Sequence, residues 1–399
     1  MMQTIDLRGV QPTRVAFERL VPRPVVDVQV AMHVATELTD DVRARGAAAL
    51  REQAERFDGV APPAVRVPVE EIAAAVEALP SDVRAALEET IARVREATAA
   101  QVPPPAETRI GPGATIVQRW QPVERAGLYV PGGKAVYPSS VVMNAVPAQI
   151  AGVSSIALAS PPQREFGGAV HPVILGAAGL LGIDEVYAMG GAGAIGALAY
   201  GVDEIDLDPV QVITGPGNIY VAAAKRVVRG QTGIDSEAGT TEILVIADDA
   251  ADARYVAADL ISQAEHDDAA ASLLVTESPA FADRVTAELE SLAGATKHAE
   301  RVRTALRGQQ SAIVLVDDLA AAAAFSNAYG PEHLEIQTAD DDAVLADIQN
   351  AGAIFIGPSA PVSLGDYLAG SNHVLPTGGQ ARFSSGLGAY SFLRPQQVI

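Results

Sequence analysis

The sequence predicts an α/β protein built on parallel sheets in two domains. Eight short apolar runs, at residues 127–130, 155–159, 185–189, 210–214, 243–247, 272–276, 312–316 and 353–356, fall between helical patterns. Short buried strands alternating with helices imply parallel sheets covered on both faces. The 399 residues exceed one ordinary core, and eight strands divide naturally into two sheets. An apolar fraction of 49% with only 5% aromatics completes an ordinary α/β composition.

The elements before the first strand are helical. From Val28 to Gly59 apolar residues recur at helical spacing with charges between them. VEEIAAAVEALP and SDVRAALEETIARVREATAA predict two more helices, with Ser81 and Asp82 as cap candidates for the second. QVPPPAETRIGPGA, residues 101–114, is a Pro/Gly connector. Glycines and a change of pattern place domain boundaries near Gly127 and Gly239. The second domain is then an insertion, and the first sheet is built from segments on both sides of it. At the end of the chain Pro395 is positioned to open a helix, so a helix is expected there.

Charge and composition exclude several functions. With 28 basic and 49 acidic residues the net charge is -21, which disfavours binding to nucleic acid or an anionic membrane. The absence of cysteine removes disulfides, thiolate nucleophiles, iron–sulfur clusters and Cys-based zinc sites. A metal would be held by His, Asp, Glu, Asn, Gln or backbone. No apolar run reaches the ~18 residues of a membrane span. MMQTIDLRGVQPTR lacks the apolar core and cleavage site of a secretory signal, so a cytoplasmic protein is expected.

Four segments carry possible chemistry. In DARYVAADLISQAEHDD, Gln263 and His266 are three residues apart and share one helix face. An amide oxygen and an imidazole nitrogen are plausible zinc donors; a solvated histidine stabilised by the helix dipole is the reading that spacing alone favours. In AYGPEHLEI, Glu332 and His333 follow a Gly-Pro turn. An adjacent carboxylate and imidazole suit proton transfer, and a helix start with Pro at its first position is the other reading. PSAPVSLGDYLAGSNHVLPTGG is long and irregular, which favours a functional segment. Its Asp366 is a hard oxygen donor or a turn aspartate capping its own backbone. The glycine turns come last. GGAGAIG has GxGxxG spacing at Gly191, Gly193 and Gly196; TGPGN offers free N–H groups at a helix mouth around Asn218; GLYVPGG places Tyr129 and Gly132–Gly133 at a strand end. His33, His171 and His298 sit in ordinary contexts and receive no role.

Together these segments resemble the histidinol dehydrogenase family. The resemblance rests on GLYVPGGKAVYPSSVVMNAVPAQIAGV, TGPGNIYVAAAKR, DSEAGTTEILVIAD, DLISQAEHD, YGPEHLEI and PVSLGDYLAGSNHVLPT, in the family's order, and extends from the first helices to Phe392. It implies two incomplete Rossmann-like domains with a helical N-terminal extension and a C-terminal tail. Residues 1–126 and 239–381 would form the first domain, 127–238 the inserted NAD-binding domain, and 382–399 the start of a dimer-swapped tail. It implies a cytoplasmic homodimer whose partner subunit contributes to the active site. The implied reaction is two successive NAD-dependent oxidations of L-histidinol, through the aldehyde, to L-histidine. By motif, zinc would be held by Gln263, His266 and Asp366. His333 would be the general base and Glu332 would activate water. Thr241 would lie near the substrate amine, and Tyr129 and Asn218 would touch NAD. Gln263, His266, His333 and Asp366 would also contact substrate.

Two departures from the family stand out. Gly193 occupies the position of a family glutamine that contacts NAD, and this substitution alone creates the GxGxxG match. The family also continues past the position of Ile399 with a helical tail carrying a glutamate and a zinc-binding histidine. Weak zinc occupancy is therefore expected for a chain ending at Ile399. A dehydrogenase of another amino alcohol, a zinc-dependent hydrolase using Glu332, and an inactive tail-less scaffold are the alternatives.

Overall fold

The computed structural model describes residues 2–10, 20, 23, 28–132, 136–237 and 239–399, so Gly133 lies outside the described residues. The chain forms two compact units. The first comprises Met1–Val26, Ala238–Gly365 and Leu375–Gly386; the second comprises Asp27–Glu237, Asp366–Val374 and Leu387–Ile399.

The second unit opens with four helices, α1 (Val28–Arg45), α2 (Ala47–Phe57), α3 (Val69–Glu77) and α4 (Ser81–Ala99). Its main sheet is parallel, with strands β4 (Arg125–Tyr129), β5 (Ser155–Ser160), β6 (Val186–Ala188), β7 (Val212–Thr214) and β8 (Gly233–Ile234). The spatial order is β6-β5-β4-β7-β8, so the winding reverses between β4 and β7. Helices α5 (Pro138–Ala151), α6 (Pro172–Leu180), α7 (Gly191–Tyr200) and α8 (Ile219–Val228) alternate with these strands.

The N-terminal helices belong to this unit because their apolar faces are buried on it. Ala31, Ala35 and Val42 of α1 share a core with Ile195, Leu198 and Val221, and α1 packs on α7 and α8. Ile72, Leu87, Ile91 and Val94 of α3 and α4 share another with Val141, Met143 and Ile174. This differs from the expected grouping of residues 1–126 with the first sheet. Periodicity shows which face of a helix is apolar but not which sheet covers it.

A small antiparallel sheet, β14-β3-β2, completes the second unit, from β2 (Ala106–Gly111), β3 (Ala114–Pro122) and β14 (Leu393–Val398). Two expectations are corrected here. Part of the Pro/Gly connector is strand, and the stretch at Pro395 is strand rather than helix. Pro395 pairs with Trp120 on the edge strand, where a residue without an N–H is tolerated.

The first unit holds a six-stranded parallel sheet in the order β1-β11-β10-β9-β12-β13. The strands are β1 (Gln3–Asp6), β9 (Glu242–Ala247), β10 (Ala271–Thr276), β11 (Ala312–Leu315), β12 (His333–Gln337) and β13 (Ala353–Ile356). The runs EILVIA and ASLLVT are buried throughout, as central strands covered on both faces must be. Around them lie α9 (Ala253–Ala264), α10 (Pro279–Leu292), α11 (Ala299–Arg307), α12 (Leu319–Tyr329), α13 (Asp341–Asp347) and α14 (Val362–Tyr367). Asp252 starts α9 by accepting from Arg254 N–H at 2.9 Å, and Asp318 starts α12 by accepting from Ala321 N–H at 2.8 Å. HLEIQ is a buried central strand, so the reading of this segment as a helix start is corrected. Gly330, with φ +60°, ends α12 in the left-handed conformation and leads into that strand.

No helix among the described residues is long and apolar enough to cross a membrane.

Candidate active site

Glu242, Gln263, Glu332 and His333 gather at the amino edge of the first unit's sheet. His333 opens β12 and pairs in register with Ile243 and Ala353; Glu242 opens β9. Helix α9 runs back across the sheet, so its C-terminal end reaches the same edge with Gln263, followed by His266. Ligands of open α/β sheets usually collect at the carboxyl edge. This cluster uses the opposite edge, and that is why a helix C-terminus can contribute to it.

One hydrogen-bonded chain links the cluster. The Gln263 amide donates to Thr241 Oγ1 at 2.6 Å, and the Thr241 hydroxyl donates to Glu332 Oε2 at 2.7 Å. The Glu242 backbone N–H donates to the same oxygen at 3.0 Å. His333 Nδ1 lies 3.1 Å from the Glu242 carbonyl, to which it donates, so Nε2 is the basic nitrogen of the ring. Nδ1 is also 3.6 Å from Glu332 Oε2. Glu332 and His333 are both buried. Burial raises the Glu332 carboxyl above its ordinary range, against the opposing influence of His333 and the two donors. A carboxylate moved toward neutrality beside an imidazole is suited to taking protons from water or a hydroxyl.

A buried charge underlies the pair. Glu242 receives Arg23 Nε at 2.9 Å and Nη2 at 3.3 Å, and the Tyr329 hydroxyl at 3.2 Å. Arg23, Glu242 and Tyr329 were not among the residues singled out from sequence. The available signal was a glutamate opening an otherwise apolar buried strand, which requires a partner.

For a metal, the chain offers donors of suitable chemistry. The Gln263 amide N–H is engaged by Thr241, which leaves its oxygen as a donor atom. His266 Nδ1 is 3.1 Å from Asp267 Oδ2, the kind of carboxylate contact that orients a metal-binding imidazole. Donation from His266 holds the Asp267 carboxyl below its usual range. Gln263 and His266 therefore fit a zinc ion by donor type. No group of three or more His, Asp or Glu side chains poised for a metal occurs among the described residues. Asp366 lies in α14, in the part assigned to the second unit, and its backbone carbonyl accepts from His373 Nδ1 at 2.9 Å.

The second unit places Tyr129 at the carboxyl end of β4, buried, its hydroxyl accepting from Gly191 N–H at 3.1 Å. Burial pushes this phenol up to about 12. Asn218 Oδ1 accepts from Tyr220 N–H at 3.0 Å and Val221 N–H at 3.2 Å. The free N–H groups expected at this helix mouth are thus partly used by the chain's own cap. A Cβ on Gly193 would stand 2.2 Å from Gln53 Oε1, and one on Gly196 3.0 Å from Thr39 Cα. These glycines let α1 and α2 approach α7, which accounts for the GxGxxG spacing by packing.

A family model described as histidinol dehydrogenase matches residues 21–399. The chain belongs to the histidinol dehydrogenase family. A histidinol dehydrogenase of Leifsonia xyli subsp. xyli (strain CTCB07) is 86% identical over 398 residues, covering 100% of this chain and 91% of that protein. One from Nocardia farcinica (strain IFM 10152) is 58% identical, covering 99% and 89%. The crystal structure of histidinol dehydrogenase from Elizabethkingia anophelis matches with a TM-score of 0.91 at 33% identity, covering 100% of this chain and 90% of that one. Membership in the histidinol dehydrogenase family makes the chain an oxidoreductase, and the two Rossmann-like sheets agree with the family fold.

Proposed function

We propose that this chain catalyses two successive NAD-dependent oxidations, of L-histidinol to the aldehyde and of the aldehyde to L-histidine. The observation that carries the reading is the buried Glu332–His333 pair, fixed by Thr241 and the Glu242 backbone at the amino edge of the first sheet. In the first half-reaction His333 Nε2 takes the hydroxyl proton as hydride leaves the carbinol carbon for the nicotinamide. In the second, Glu332 takes a proton from the water that adds to the aldehyde. The hydrated carbon would then give its hydride to a second NAD, with His333 again taking the hydroxyl proton. A carboxylate raised by burial is a better base for water than an ordinary one. Thr241 would face the substrate amine, where its hydroxyl also holds Glu332 in place.

Gln263 and His266, with Asp366 assigned by motif, would hold zinc and also contact substrate. Bound zinc would supply a fixed anchor for the nitrogen atoms of histidinol, which is a positioning role. Tyr129 and Asn218 are assigned to NAD. Support comes from the reversal of winding between β4 and β7, because Tyr129 ends β4 and Asn218 follows β7. The working form is a cytoplasmic homodimer, with the partner subunit contributing to the site.

The test is the stoichiometry of the purified, zinc-supplied chain with L-histidinol and NAD. Two NADH and one histidine per histidinol are expected. One NADH with released aldehyde, or no turnover, would refute the reading.

A further inference from the structure

The Arg23–Glu242 ion pair bridges the two backbone stretches that carry the proposed catalytic pair. Glu242 contributes to that pair through its main chain, its N–H to Glu332 and its carbonyl to His333. Its own side chain points elsewhere, into a buried site where it is 2% exposed and meets the Arg23 guanidinium through two nitrogens. The same guanidinium lies 3.7 Å over the Tyr329 ring, and its Nη2 donates to the Tyr329 carbonyl at 2.5 Å. Tyr329 in turn closes the triangle by donating its hydroxyl to Glu242 Oε2 at 3.2 Å.

Tyr329 is the last residue of α12, and only Gly330 and Pro331 separate it from Glu332. One guanidinium thus holds the head of β9 and the turn that delivers Glu332 and His333. Both catalytic side chains depend on the relative placement of those two backbones. A bidentate Arg–carboxylate pair is the geometry best able to fix it.

We infer that Arg23, acting through Glu242 and Tyr329, is a positioning residue for the Glu332–His333 pair. It acts through the two backbones that carry the catalytic side chains, and its effect is to keep the His333 tautomer and the Glu332 carboxylate in register. The inference rests on the roles proposed above for Glu332 and His333. Small misplacements of reacting groups cost rate more than binding, so the signature is a fall in kcat with little change in KM.

The test compares the zinc-supplied wild-type chain with Arg23→Ala, Arg23→Lys and Tyr329→Phe. Arg23→Ala should lower kcat by about ten- to a hundredfold, with KM for histidinol and NAD changed no more than about twofold. Guanidinium chloride at about ten millimolar, well below denaturing levels, should restore part of that loss. Arg23→Lys should fall between wild type and alanine, because one ammonium cannot grip both carboxylate oxygens. Should Arg23→Ala fail to fold, Arg23→Lys and Tyr329→Phe carry the same kcat-selective expectation. A readout that needs no turnover is the ring ¹⁵N spectrum of His333, assigned with His333→Asn. It should report the Nδ1–H tautomer in wild type and a mixture in the Arg23 and Tyr329 variants. Full kcat in the variants, or an unchanged tautomer, would overturn the inference while leaving an active wild type as evidence for the proposed reaction. An inactive wild type whose tautomer still depends on Arg23 would instead refute the reaction and keep the positioning role.

Discussion

Glu242 and His333 are joined by a hydrogen bond of 3.1 Å from the imidazole Nδ1 to a backbone carbonyl, across two neighbouring parallel strands. Main-chain acceptors in a sheet are fixed by the ladder, so the ring orientation is set by the fold and not by a mobile side chain. The N–H of the same residue holds Glu332. The site's chemistry is therefore built into the edge of a buried sheet.

His266 is expected to depend on Asp267 for its grip on zinc. Removing the carboxylate that orients a metal-bound imidazole typically weakens binding about ten- to a hundredfold. Asp267→Ala should lower zinc affinity by that amount, measured by competition with a chromogenic chelator. Affinity equal to wild type would show that His266 is not a ligand held in this way.

The pH dependence of stability should carry the mark of Glu335. Burial first, and then the charge of Asp259, push this carboxyl up to about 9, and burial raises Asp259 as well. The folded state thus keeps a proton that the unfolded chain releases at the ordinary glutamate value. The corresponding stability is complete below that value and is lost as pH rises toward about 9, at about 1.4 kcal/mol per pH unit for one proton. Glu335→Gln should flatten this decline and make the protein more stable at about pH 8 than wild type. Urea unfolding at about pH 6 and about pH 8 measures it; an unchanged slope would contradict the assignment.

Restoring a glutamine at Gly193 should destabilise the chain, because Gln53 occupies the space. Gln53 is itself held, its amide donating to the Leu38 carbonyl at 3.1 Å. Gly193→Gln should cost about 1–3 kcal/mol, as overpacking does, and adding Gln53→Ala should recover most of it. Denaturant midpoints of the single and double variants decide; a neutral single substitution would mean that the space is available.

The sequence is most informative where the physics is local. All eight apolar runs singled out as strands contain strand in the structure, since strands of a sheet covered on both faces read as near-continuous apolar runs. Short or polar strands escaped. QTID is four mostly exposed residues, and HLEIQ alternates polar and apolar residues with every position buried. On its polar face Gln337 donates to Glu335, two residues before it in the same strand, at 2.7 Å. The unit that takes up α1 to α4, and the Arg23–Glu242 pair 219 residues apart in sequence, are likewise properties of the folded chain. The Glu332–His333 pair was legible as adjacent chemistry. Its fixing by Thr241 and the Glu242 backbone was not, because it requires the register of β9 against β12.

The most direct test of the account separates the two half-reactions in Glu332→Gln and His333→Asn, assayed with histidinol and with histidinal under single turnover. His333 is proposed as the base for both hydride transfers, and Glu332 only as the acceptor of the proton from water. His333→Asn should slow both oxidations by at least about a hundredfold. Glu332→Gln should slow aldehyde oxidation by a comparable factor and alcohol oxidation by no more than about tenfold. Equal losses in both half-reactions for Glu332→Gln, or an unimpaired alcohol oxidation in His333→Asn, would contradict the assignment.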